Sequence, residues 1–399
     1  MSIVNILLQP GIDTVRHAVF VSSTFRRDSM IKSIEGVRGL AALLVALYHL
    51  KIGSEYFSLI RNGYLFVDLF FVLSGFVICA AYGDTMRSGA DLRQFIWRRI
   101  GRLFPLLVFS TVVFVLGSNA IVLAKKLAVS AGHAGLLNNP GALEYLVPTA
   151  GEILATLTFT HSLGLFDELI LNTPSWSISV EFYTYLLFAL VCLLLTGGGR
   201  IVLLALLSVT GLIISVWASV NIHNCIAEKG CLSLTYDFGL ARSIHSFCLG
   251  ALAFYSSRII KMNIPAVQIT VVFALFLLLT LVDYVSIAAF AFPVAFAALV
   301  LSLSKDSGPL ADALKPRLFQ VLGQRSYSIY LMHMPLLLIF ENLTKRVSGL
   351  VSSITVLVAY VLVLYVISGW TYRFVEAPMR DWFNRLVVRK PAAAGEAGS

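Results

Sequence analysis

The sequence predicts an all-α, polytopic membrane protein of about ten transmembrane helices plus one re-entrant or interfacial segment, with both termini cytoplasmic. Three observations lead there. Of the 399 residues, 58% are hydrophobic and only 13% charged, against about 25% charged in an ordinary soluble domain. Mean hydropathy is +0.86, and apolar runs long enough to cross a bilayer recur between short charged loops. No alternation of period two points to a β-barrel. The net charge of +9 sits in the inter-helix loops, so it reports topology first and no nucleic-acid partner is expected.

The expected spans are 34–50, 63–83, 103–124, 176–196, 201–220, 240–257, 266–284, 286–304, 327–341 and 350–372. A weaker stretch, 150–166, is interrupted by Glu152 and His161. Counted as an eleventh span, it sets the basic loop 258–262 opposite the basic loop 84–102, and the basic loop 305–325 opposite the N-terminus. Left in the interface or re-entrant, it restores the parity. The N-terminus, 84–102, Arg200, 258–262, 305–325 and the tail from Arg373 then share one face, with 21 of the 30 Lys and Arg residues against 7 on the other. Positive charge marks the cytoplasmic face. The resulting division is a cytoplasmic segment 1–33, a membrane domain 34–378 and a cytoplasmic, partly disordered tail 379–399. Residues 1–30 lack an apolar core followed by a small-residue cleavage site, so no signal peptide is expected.

Of the five cysteines, Cys79, Cys192 and Cys248 lie in apolar runs and are expected to be packing residues. Cys225 and Cys231 share an outward loop and can pair if that side is oxidising. No cysteine or histidine spacing suits a metal, and none is expected.

The first span carries Glu35 and Arg38 at one end and His49 at the other. Eleven residues are three helical turns, which puts Arg38 and His49 on one side about 16 Å apart. Ionisable groups inside a membrane helix are costly and usually face the bundle interior; Arg38 at a headgroup and His49 at an interface is the alternative. Asp68 lies inside the second span and needs a partner, and Gly75 would let a neighbouring helix approach closely. Arg99 and Arg102 stand at i and i+3 with Arg98 beside them, ahead of the third span. Guanidinium forks match phosphate oxygens, although lipid headgroups would also explain them. Glu181 sits more than a turn inside its helix, where it either orients the imidazole of His49 or accepts from Tyr or Ser hydroxyls. Ser326, Tyr330 and His333 follow i, i+4, i+7 on one helix face, polar where lipid would require apolar. Arg242, His245 and His161 are expected to make structural polar contacts.

Together these stretches resemble the acyltransferase-3 family of integral membrane acyltransferases. The carrying residues are Glu35-Gly-Val-Arg38-Gly with His49 eleven positions on, Val67-Asp68 through Ser74-Gly75-Phe76, Arg98-Arg99 with Arg102 before Pro105, Trp176-Ser-Ile-Ser-Val-Glu181, Ser326-Tyr327-Ser-Ile-Tyr330-Leu-Met-His333, and Phe374-Val-Glu376-Ala-Pro378. Glu35 stands where many members have Asp, and the carboxylate is kept. The resemblance runs from about Ile34 to Pro378 and does not extend to the outer hydrolase-like domain that some members carry.

It implies a ten-helix bundle in the bacterial inner membrane that takes an acyl group, usually acetyl, from cytoplasmic acyl-CoA. The acceptor implied is a saccharide hydroxyl at the outer side, on O-antigen, exopolysaccharide or a lipo-oligosaccharide. The family places its essential residues on Arg38, His49 and the Arg99/Arg102 pair. On this reading His49 is the general base, with Arg38 and Glu181 beside it in the catalytic set. Arg98, Arg99 and Arg102 hold the CoA phosphates, and Ser326, Tyr330 and His333 line the path of its arm. The rival reading is a transporter of a polar glycan or lipid-linked sugar. Broken helices in symmetric halves would mark it, and neither these nor an internal repeat is legible.

Overall fold

The computed structural model describes residues 31–132, 143–344 and 349–387. Most of the expected cytoplasmic segment 1–33, and the disorder expected at 391–399, lie outside the described residues. Those described are helical throughout their regular structure, and no strand occurs among them.

Among the described residues, ten helices of 12 residues or more form the bundle: α1 (Lys32–Leu50), α2 (Phe66–Tyr82), α3 (Gly89–Ser130), α4 (Trp176–Leu194), α5 (Gly197–Asn221), α6 (Gly239–Ile259), α7 (Ile264–Leu281), α8 (Phe292–Leu303), α9 (Ser326–Thr344) and α10 (Leu350–Thr371). Among the described residues, eight helical segments are long and apolar enough to cross a membrane, α2, α4, α8 and α10 being counted with the short helical stretches that extend them. The other two, α6 and α9, have 21 and 19 residues. Their length suffices, but Arg242, His245 and several serines in one, and the Ser326/Tyr330/His333 stripe in the other, lower their hydropathy. Ala150–Leu157 is a single capped helix of 8 residues, about 12 Å long and too short to cross a hydrocarbon core of about 30 Å. It therefore adds no span.

One boundary differs sharply from expectation. The third helix begins at Gly89, not 103, and runs 42 residues. Ser88 caps it by accepting from the Asp91 amide at 3.2 Å. Charged residues end a hydropathy run but do not end a helix, since Arg is a good helix former. Arg98, Arg99 and Arg102 therefore stand on a rigid rod, not in a loop.

The tightest crossing is between α2 and α6. A Cβ on Gly75 would collide with the Phe247 carbonyl, and one on Gly250 with the Val72 carbonyl. Two glycines thus let the backbones touch, as small residues do in membrane bundles. Beside that crossing Asp68 meets Arg242, whose Nη2 donates at 2.7 Å, while Ser246 donates to the same carboxylate at 2.8 Å. Arg242 also lies over the Trp176 ring at 5.2 Å. The partner that Asp68 requires is thus supplied within the bundle.

Exposed apolar residues run down the outside. On α5 they include Val202, Leu206, Val209, Ile213 and Trp217, a single helix face that bilayer tails would cover. Cys225 and Cys231 form a disulfide, and Cys79, Cys192 and Cys248 are free and buried.

Candidate active site

Two cavities open at opposite ends of α1. Near Arg38 lies a small one of about 60 Å³, lined by Arg38, Ser74, Arg102, Glu181, Ser326 and Tyr330 among others. At the His49 end is a cleft of about 820 Å³ bordered by His49, Lys51, Tyr56, Phe57, Glu341 and the aliphatic residues Leu337, Ile354 and Leu357. The second is within the usual size of a small-molecule site, about 300–1,000 Å³.

His49 is in the last turn of α1. The helix stops at Lys51, whose left-handed φ of 63° lets its amide reach the Leu47 carbonyl, a common helix ending although costly for a residue with a Cβ. The His49 Nδ1 lies 3.0 Å from the Val45 carbonyl. A carbonyl only accepts, so Nδ1 carries the proton and Nε2 the lone pair. The ring centroid stands 4.9 Å from that of His333. His333 is fully buried; its Nδ1 is 2.5 Å from the Tyr330 carbonyl, and its Nε2 has no partner among the described residues. Tyr330 in turn meets Ser177 Oγ at 2.8 Å and packs its ring 5.6 Å from Phe70.

The Ser326/Tyr330/His333 stripe thus runs from one cavity to the other. Seven residues of helix rise about 10 Å. Ser326 and Tyr330 line the small cavity, and His333 stands against His49. Phe70, Tyr330, His333 and His49 form a column of rings between the two openings, the Tyr330–His333 step being 5.9 Å.

Arg38 pairs with Glu35 at 2.8 Å, both side chains largely buried. Arg102 lies within the electrostatic reach of Glu376, Glu35 and Glu181. Arg99 lies among the rings of Tyr82, Phe95 and Tyr185, at 5.7, 5.7 and 5.8 Å. Arg98 reaches the Tyr82 hydroxyl at 3.5 Å. The Nε atoms of Arg98 and Arg99 are buried with no hydrogen-bond partner among the described residues. Buried donors without acceptors are rare, and here they suit an incoming anion.

The structure does not bring Glu181 to His49. Its Oε1 accepts from Ser74 Oγ and the Tyr185 hydroxyl, each at 2.5 Å, and the two residues line different cavities. Glu376, to which the sequence assigns no role, is buried and accepts from Ser328 at 2.7 Å. It closes a π-helical turn, Tyr372–Glu376, of the kind often found at functional sites. Among the described residues no group of three or more His, Cys, Asp or Glu is placed to hold a metal.

The sequence profile of the family described as "Acyltransferase domain" matches residues 31–373. The chain is 28% identical over 394 residues to YrhL of Bacillus subtilis, covering 90% of this chain and 56% of that protein. It is 25% identical over 389 residues to the peptidoglycan O-acetyltransferase OatA of Listeria monocytogenes, covering 88% and 56%. A third relative, protein 2 in the picA locus of Rhizobium radiobacter, is 32% identical over 151 residues, covering 37% and 75%. The chain thus spans little more than half the length of the first two. No solved structure matches.

Proposed function

This chain belongs to the acyltransferase domain family, and on that premise we propose that it transfers an acyl group, acetyl by default, from cytoplasmic acyl-CoA to a saccharide hydroxyl across the bacterial inner membrane. The Arg38 end faces the cytoplasm and the His49 cleft faces outward. Kinship with a peptidoglycan O-acetyltransferase supports a glycan acceptor.

His49 is the general base. An alcohol is a weak nucleophile at neutral pH and needs a base within hydrogen-bond reach. Nε2 takes the hydroxyl proton as the alcohol oxygen attacks the thioester carbonyl carbon. The adduct collapses, the C–S bond breaks, and the CoA sulfur leaves with the proton that the imidazolium returns. An ester and free CoA result. The small cavity is too narrow for a nucleotide, so the CoA phosphates stay at Arg98, Arg99 and Arg102 while the pantetheine arm enters past Arg38, Ser326 and Tyr330.

The observation that carries this reading is the ring column, with an arginine-lined cavity at one end and an open cleft holding His49 at the other. The test is purified protein incubated with labelled acetyl-CoA and a surface-glycan fraction, read by mass spectrometry as acetyl increments per sugar. His49→Ala is expected to lose activity by about 10²-fold or more while keeping its melting temperature and its Cys225–Cys231 disulfide. Wild-type turnover in that variant, or no transfer by the native protein, would overturn the assignment.

A further inference from the structure

We propose that Asn172 is a positioning residue: its side-chain amide takes the place of the backbone N–H that Pro335 lacks and, through the Leu331 carbonyl, fixes the turn of α9 that sets His333 against His49. The consequence for turnover rests on the acyltransferase reading above; the structural anchor does not.

Pro335 lies inside α9. In a helix the carbonyl of residue 331 awaits the N–H of residue 335, and proline has none; its ring also crowds that carbonyl. The Leu331 carbonyl therefore needs a donor from outside the ladder, in a place where both Leu331 and Asn172 are fully buried. Asn172 Nδ2 supplies it at 3.1 Å. Its second hydrogen goes to Ser110 Oγ at 3.0 Å, and Ser110 already donates to the Leu107 carbonyl at 3.0 Å. Both neighbours of Nδ2 are acceptors, which settles the amide orientation on chemistry alone. One side chain thus joins α3, α9 and the start of the α4 segment.

The turn held in this way carries the imidazole. His333 is two residues after Leu331 and two before Pro335. Its own carbonyl accepts from the Tyr360 hydroxyl at 3.2 Å, and its Nδ1 meets the Tyr330 carbonyl at 2.5 Å. Without the Asn172 donor the turn can satisfy Leu331 only by bending toward another partner or water, which moves a ring that now lies 4.9 Å from His49.

The test uses the full chain in detergent as wild type, Asn172→Leu, Pro335→Ala and the double variant. Leucine keeps the size of the side chain and removes both donors; alanine at 335 restores the N–H. Carbethoxylation of His333, read by mass spectrometry of its peptide, reports its exposure without any need for turnover. Asn172→Leu is expected to speed the modification about fivefold or more, and the excess is expected to vanish in the double variant. In acetyl transfer, Asn172→Leu is expected to lower kcat about tenfold with the KM for acetyl-CoA held within about twofold. Wild-type protection of His333 in Asn172→Leu, or an excess that survives in the Pro335→Ala background, would overturn the proposal. If Asn172→Leu is not recovered from membranes, recovery of the double variant supports the proposal and loss of both overturns it. A native protein without transfer activity would remove the functional reading and leave His333 reactivity to decide the anchor.

Discussion

A carboxylate oxygen that accepts from two hydroxyls at 2.5 Å has little capacity left for an imidazole elsewhere. Glu181 is so engaged, by Ser74 and Tyr185, and it lines the cavity of Arg38 and Arg102. Its influence should therefore fall on the donor side. Glu181→Gln is expected to raise the KM for acetyl-CoA about three- to tenfold and to leave the pH midpoint of kcat where it is. Initial rates measured against pH and acetyl-CoA check this; a displaced midpoint would tie Glu181 to the base after all. At this scale the sequence is informative about which residues matter. An ionisable group in an apolar helix is costly wherever the helix packs, which singles out Arg38, His49, Asp68 and Glu181. Their partners are not legible, because Glu181 meets Ser74 only through the packing of α4 on α2, 107 positions away in sequence. Glu376 is harder still: its burial and its π-helical turn exist only in the fold.

Two contacts between elements lead to tests of the scaffold. The Asp68–Arg242 pair joins α2 to α6 with side chains 0% and 2% exposed. Removing one member of a buried pair strands the other charge and costs about 3–5 kcal/mol, whereas apolar replacement of both is often far milder. Asp68→Asn is therefore expected to lower the melting temperature in detergent more than the double variant Asp68→Leu, Arg242→Met does; the reverse order would count against a structural role. At the His49 end, Arg61 grips Asp283 in two bonds, at 3.0 and 2.6 Å, with Ser58 and Asn62 on the same carboxylate. The Arg61 guanidinium, helped by Ser58 and Asn62, holds the Asp283 carboxyl down at about 2 from its ordinary 3.8. A carboxyl whose folded value is depressed stabilises the fold fully above its unfolded value and loses that contribution as pH falls through the folded one. Melting curves should show Asp283→Asn less stable than wild type at pH 6, the gap closing between pH 3.8 and about 2. The pair ties down residues 51–62, which floor the cleft beside His49, so the same variant should also weaken acceptor binding. Helix existence was readable from hydropathy. The start of α3 was not, because arginines interrupt an apolar run without interrupting a helix.

Across the whole molecule the two ends of the bundle have different chemistry. One gathers buried guanidinium Nε donors without acceptors among the described residues, and the other an open cleft with Lys51, Glu341, tyrosine and phenylalanine on its rim. The proposed topology, in which loops with 21 Lys and Arg lie opposite loops with 7, has the arginine end on the cytoplasmic side by the positive-inside rule. Acetyl-CoA is polar and multiply charged and does not cross a bilayer unaided, since charge in hydrocarbon is too costly. The proposed reaction is therefore vectorial: donor from one face, acceptor from the other, meeting along the column between Tyr330 and His49. In sealed inverted vesicles, whose cytoplasmic face is outward, added acetyl-CoA is expected to acetylate glycan trapped in the lumen. In sealed right-side-out vesicles, added acetyl-CoA should give no product until the membrane is permeabilised. His49→Ala should be inactive in both, which separates transfer through this protein from leakage. Equal labelling in both sealed preparations would mean that donor and acceptor enter from the same side, and the column of rings between Tyr330 and His49 would then have no role.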